Sequence, residues 1–142
     1  MDLILDAQKA IAQKIYRNVV EKYKKDCVVD YYSAGTVASP SARVVENDGS
    51  LSAKIPGGGK ATLEWHRLRN LMAEQGGRGA WFSATARVTT DGRYSFDFDY
   101  DTEPNWRIPP ADETYIADLK KFPRPADQIP TWHPGHPSRR QG

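Results

Sequence analysis

The sequence is poor in the features that mark secreted and membrane-spanning proteins. Its 142 residues include a single cysteine, Cys27, so no internal disulfide can form and the chain suits a reducing compartment. No run approaches the roughly 18 apolar residues that a membrane span needs. The opening residues, MDLILDAQKAIAQK, bring acids early and lack the uninterrupted apolar stretch of a secretory leader. These absences lead to the expectation of a cytoplasmic protein with no membrane contact.

Signatures of catalysis are missing as well. The stretch PGGGKAT at 56–62 fails as a phosphate loop, because Lys54 stands where the pattern needs Gly and Ala61 where it needs Ser or Thr. GGRG at 76–79 reads as a helix stop, and no Gly-x-Ser-x-Gly occurs. Cys27 has no histidine near it in sequence and reads as a small buried hydrophobe. Of the three histidines, His66 sits beside Trp65 on a predicted helix, while His133 and His136 lie in HPGHP, a proline-rich tail unsuited to preorganising a metal. No catalytic residue, cofactor or metal site is assigned, and the chain is expected not to be an enzyme. A cleft near Tyr31, Tyr32 and His66 is the weak enzymatic alternative.

What the chain does have is periodicity. Ile4, Ala7, Ile11, Ile15, Val19 and Tyr23 recur at helical spacing over residues 3–25. CVVDYYSAGTVAS reads as a strand, and ARVVEN and SLSAKI flank Asp48-Gly49 as a hairpin. A second helix follows Thr62, a third follows Asp112, and each of these residues is a candidate cap. The order predicts an α+β fold, an antiparallel sheet with helices packed on one face. One domain is expected over residues 1–124, with a Pro/Arg-rich tail over 125–142 whose end is disordered.

The most patterned stretch is RYSFDFDYD, residues 93–101, with aromatics at 94, 96, 98 and 100 and aspartates at 97, 99 and 101. On a strand these fall on opposite faces. A two-residue turn at Asp91-Gly92 would align these acids with the apolar side of AWFSATARV, residues 80–88. A three-residue loop, Thr90-Asp91-Gly92, instead pairs Val88 with Tyr94, Ala86 with Phe96, Ala84 with Phe98 and Phe82 with Tyr100. A one-residue slip would bury the carboxylates, so the longer loop should win. The opposite face then carries Trp81, Ser83, Thr85, Arg87 and Thr89 against Asp101, Asp99, Asp97, Ser95 and Arg93. The aspartates, about 7 Å apart along the strand, are too widely spaced to grip one ion unaided.

Charge is distributed to match. The net of +2 conceals residues 91–118, with eight acids against two bases, between positive segments at 54–90 and 119–142. A row of negative charge favours a basic partner surface.

The residues GAWFSATARVTTDGRYSFDFDYDTEPNW, then YIADLKKFPR and IPTWH, resemble the YezG-like family of antitoxin or immunity proteins. The likeness lies in a Trp-aromatic strand, an Asp-Gly turn, an aromatic/acid strand ending in Phe-Asp-Tyr-Asp, and a helix end closing on Phe-Pro-Arg. It spans roughly residues 65–133. It implies an α+β immunity protein that neutralises a cognate toxin domain, of nuclease or NAD glycohydrolase type, with no catalytic residues of its own. Toxins of those kinds need positive clefts for phosphate. Asp97, Asp99, Asp101 and Glu103, with Trp81 and Trp106 as aromatic anchors, are therefore the candidate toxin-binding residues. The alternative is a small nucleic-acid- or nucleotide-binding regulator using the positive segments, although nucleic acid is not the expected partner.

Overall fold

The computed structural model describes residues 2–57 and 60–139. The first helix opens with Asp2, whose carboxylate accepts from the Ile4 and Leu5 N–H groups at 3.0 and 3.1 Å. It runs as α1 (Leu3–Ile15), passes through a π-helical turn (Tyr16–Val20) and closes as α2 (Glu21–Tyr23). The wider turn carries two adjacent valines, Val19 and Val20, into the core together. Lys24, in the left-handed region at φ 58°, then ends the helix.

Four strands form one antiparallel sheet in the order β2-β1-β3-β4: β1 (Cys27–Ala34), β2 (Val37–Val44), β3 (Ser83–Val88) and β4 (Tyr94–Asp99). The first hairpin turns at Gly35-Thr36, with Ala34 opposite Val37. The expected strand CVVDYYSAGTVAS is thus folded back on itself in the middle. Asp48-Gly49 does turn the chain back, joining the two expected segments through the isolated bridges Val45–Leu51 and Ala42–Ile55 rather than as a continuous ladder.

Between β3 and β4 the three-residue loop is present. Val88 pairs with Tyr94, Ala86 with Phe96 and Ala84 with Phe98, Gly92 takes φ 86°, and the Thr89 N–H donates to the Arg93 carbonyl at 2.9 Å. Cys27, Val29, Tyr31, Ala42, Val44, Ala84, Ala86 and Val88 therefore line one face and enter the main core. α1 and α3 (Thr62–Gly76) cover that face. The small Ala84 and Ala86 leave room for Trp65 of α3, which stacks on Tyr31 at 5.0 Å and meets Phe96 edge-on at 5.5 Å. Lys14 of α1 bridges to Glu64 of α3 at 2.6 Å.

α4 (Asp112–Lys121) begins one residue after Ala111, with Asp112 and Glu113 in its first turn, where the helix dipole favours carboxylates. A buried ion pair ties it to α3. Arg69 donates to both carboxylate oxygens of Asp118, at 2.6 and 2.9 Å, and its Nε donates to the Trp81 carbonyl at 2.7 Å. Asp118 also accepts from the Gly35 N–H at 3.0 Å.

The segment after Lys121, expected to be a tail beyond residue 124, is packed into the domain as far as it is described. Ile129 and His133 are buried, and Trp132 and His133 meet Phe82 at 5.2 and 5.6 Å. Arg124 lies over the Phe82 ring at 4.9 Å and donates to the Ala80 carbonyl at 3.0 Å. Gly79 permits this: at φ +81°, a side-chain carbon there would come within 2.6 Å of the arginine stem. The proline-rich composition fooled the sequence reading because aromatic residues between the prolines supply the packing. The expected disorder at the very end, residues 140–142, falls outside the described residues.

Candidate functional site: the outer face of the sheet

The face turned away from α1 and α3 is laid out in cross-strand rows. Combining the three pairings, Arg43, Val28, Arg87 and Ser95 form one row, Ser41, Asp30, Thr85 and Asp97 the next, and Ser39, Tyr32, Ser83 and Asp99 the third. Carboxylates thus gather toward one end of the face and arginines toward the other. Asp97 is exposed, and among the described residues its carboxylate has neither hydrogen bond nor ion pair. Its cross-strand neighbour Thr85 turns instead to Asp30, donating to that carboxylate at 2.8 Å.

Asp99 has a different task. Its Oδ1 accepts from the backbone N–H groups of Asp101 and Thr102, both at 2.9 Å, and so shapes the turn that ends β4. Those bonds, that from Thr102 first, hold its carboxyl below the ordinary carboxylate range. Asp101 beyond it is exposed, 3.6 Å from Arg124, and its carbonyl accepts from the Trp132 indole at 2.7 Å. Glu103 is exposed. Asp97 and Asp99, about 7 Å apart, repel each other by roughly 0.6 kcal/mol in water, an energy that a nearby cation would relieve.

Trp106 stands against Tyr32 on the β1–β2 side of the sheet, two strands from Asp99. Its indole donates to the Tyr115 hydroxyl at 2.7 Å, and its ring meets Tyr32 edge-on at 5.6 Å. Burial, above all, raises the Tyr115 pKa, and the charge of Glu103 adds to the shift. Ile108, two residues further on, is 79% exposed and shares a shallow hollow with Trp106, Val37 and Ser39.

Trp81 is not where the sequence placed it. It is fully buried in the main core, against Tyr31, Trp65 and Phe98. The cause is a β-bulge: the Phe82 N–H donates to the Asp99 carbonyl, although Asp99 already stands opposite Ser83. The extra residue reverses the alternation, so that Trp81 turns inward and Phe82 joins Ala34 and Tyr115 in a second cluster. The expected pairs of Phe82 with Tyr100 and Trp81 with Asp101 are lost with it.

Sequence reasoning missed Asp30, Tyr32 and Ile108 as members of this face, naming Tyr32 only for the enzymatic cleft. The first two were legible in CVVDYYSA, because a strand with Cys27, Val29 and Tyr31 inside must turn Asp30 and Tyr32 out. The alternative sites fare differently. Tyr31 is in the core, Tyr32 is on the opposite face, and His66 is exposed on α3, bonded to Asn70 at 3.3 Å, so the three do not share a cleft. Among the described residues no three of His, Cys, Asp and Glu come together as a metal would require. The positive segments are partly spent internally, since the Arg69 and Arg124 side chains are 2% and 3% exposed. No described helix is long and apolar enough to cross a membrane. No family model matches the chain, and no curated protein matches it either.

Proposed function

We propose that this chain is an immunity protein that binds a cognate bacterial toxin domain through the outer face of its sheet and occludes that toxin's active-site cleft. The observation that carries the reading is Asp97 standing beside Asp99 on a solvent-facing strand, with Asp30 in the same row as Asp97, beyond Thr85, and no cation in either of their rows. Such a surface is preorganised to meet the positive cleft of an enzyme that handles nucleic acid or dinucleotides, and opposite potentials speed association. Tyr32, Trp106 and the exposed Ile108 supply the apolar contacts that charge alone lacks. The resemblance to YezG-like immunity proteins points the same way. On this reading the protein is a cytoplasmic inhibitor with no catalysis of its own, and its contact residues are Asp97, Asp99, Asp101, Glu103 and Trp106, without Trp81.

Co-expression with a candidate toxin domain from a neighbouring gene is the direct test: growth is restored and a stable complex purifies. Within that complex, Asp97→Lys combined with Glu103→Lys should slow association about tenfold and flatten its salt dependence. Both residues are exposed and neither supports the fold, so the thermal midpoint should stay within a degree or two. Unchanged association kinetics and salt dependence in this variant would sink the proposal.

A further inference from the structure

The two edges of the sheet are treated differently. Along β2 the edge is sealed. Ile55 donates to the Ala42 carbonyl and Ser52 to the Val44 carbonyl, both at 2.9 Å, and Pro40 has no N–H to offer. Along β4 nothing comparable occurs among the described residues, where the strand pairs with β3 alone. The Thr89–Arg93 hydrogen bond fixes which residues bond inward: Arg93 and, at every second position, Ser95, Asp97 and Asp99. The backbone groups of Tyr94, Phe96 and Phe98 therefore point out from the open edge. Above them lies a half-exposed lip of rings, with Phe96 and Phe98 stacked at 6.1 Å and Tyr94 43% exposed. Below them lies the row of aspartates.

We infer that β4 is a docking edge for an extended strand of the partner, one that alternates basic with apolar side chains. This deepens the proposed function and rests on it for the partner's identity. An antiparallel strand added to β4 would take up the outward N–H and C=O groups of three residues. Its apolar positions would lie against Phe96 and Phe98, and its basic positions would oppose Asp97 and Asp99. Charge also disfavours most pairings with a second copy of this chain. Antiparallel self-pairing of β4 centred on Asp97 sets it opposite its own copy, and centred on Phe98 sets Asp97 opposite Asp99; the register centred on Phe96, with Asp97 opposite Ser95 and Asp99 opposite Arg93, is the one that avoids the repulsion. The same row that disfavours those self-pairings would recruit a basic strand.

Amide hydrogen exchange followed by NMR tests this. In the free protein the Tyr94, Phe96 and Phe98 amides should exchange fast, while those of Ser95, Asp97 and Asp99 are protected. Saturation with a synthetic peptide alternating lysine with valine should slow the first three by about tenfold or more, and the purified toxin complex should do the same. A peptide of identical composition with its lysines in one block should not. The double variant Asp97→Lys, Asp99→Lys should lose the lysine peptide and accept one alternating glutamate with valine. Asp97→Lys alone, which spares the turn built on Asp99, should weaken the lysine peptide in the same direction. A toxin complex that leaves these three amides exchanging at the free rate would overturn strand addition while leaving the immunity reading intact. Protection by the peptide without neutralisation of any toxin would uphold the edge and overturn that reading. Concentration-dependent protection with a dimer in sedimentation, unaffected by peptide, would make a second copy the occupant and overturn the inference.

Discussion

Arg69 of α3 holds both carboxylate oxygens of Asp118 of α4 in a place where the two side chains are only 2% and 5% exposed. The pair also satisfies two backbone groups from other elements, the Trp81 carbonyl and the Gly35 N–H. It pins the last helix to the sheet, and with it the loop that carries Trp106.

Removing one partner leaves the other charge stranded. Asp118→Ala should cost about 3–5 kcal/mol, read as a fall in the urea midpoint with an unchanged slope. Replacing both, as Arg69→Met with Asp118→Leu, should cost less than either single change, because no lone buried charge remains.

The β3–β4 loop makes a sharper prediction about register. A Cβ on Gly92 would meet nothing within 4 Å, so Gly92→Ala should cost only the left-handed backbone penalty, about 1–2 kcal/mol, and keep the pairing. Deleting Gly92 should instead force the two-residue turn, drive the aspartates toward Trp65 and Trp81, and abolish the near-UV circular dichroism of the folded state.

Cys27 should be silent to thiol reagents. Burial pushes its thiol up to about 12, and the side chain is fully covered, so almost no thiolate is available at neutral pH. An aromatic disulfide should leave the native protein untouched and label one thiol per chain in denaturant.

Asp99 should make the protein acid-sensitive. Its carboxyl titrates below its unfolded value, so it contributes stability above that value and loses it as the pH falls through the folded pKa. The urea midpoint should drop as the pH falls below the ordinary aspartate value of about 4, and Asp99→Ala should shrink that drop. An equal drop in the variant would show that other carboxylates are responsible.

The two tryptophans once paired as anchors should now separate. Trp81→Ala empties the core and should cost about 3–5 kcal/mol. Trp106→Ala removes a half-buried ring and its bond to Tyr115, so it should cost less stability and lower toxin affinity. Paired urea and binding titrations would show the contrast.

The α+β class and the β3–β4 register were legible because strict alternation leaves a single arrangement that keeps aspartates out of the core. The π-helical turn and the Arg69–Asp118 pair were not. The first depends on a one-residue widening with no sequence signature, the second on two residues 49 positions apart. The acid row was visible in advance, but its division of labour was not. Only the fold distinguishes the unbonded Asp97 from Asp99, which is committed to a turn, and from Asp101, which faces Arg124.

The bulge at Phe82 and Ser83 gives β3 a phase slip. A systematic substitution scan along residues 81–88 should show intolerance at 84, 86 and 88, tolerance at 83, 85 and 87, and then two consecutive intolerant positions, 81 and 82, where the beat is broken. One inserted residue thus lets a single strand present an uninterrupted polar row to the outside and still contribute adjacent aromatic side chains to two separate cores.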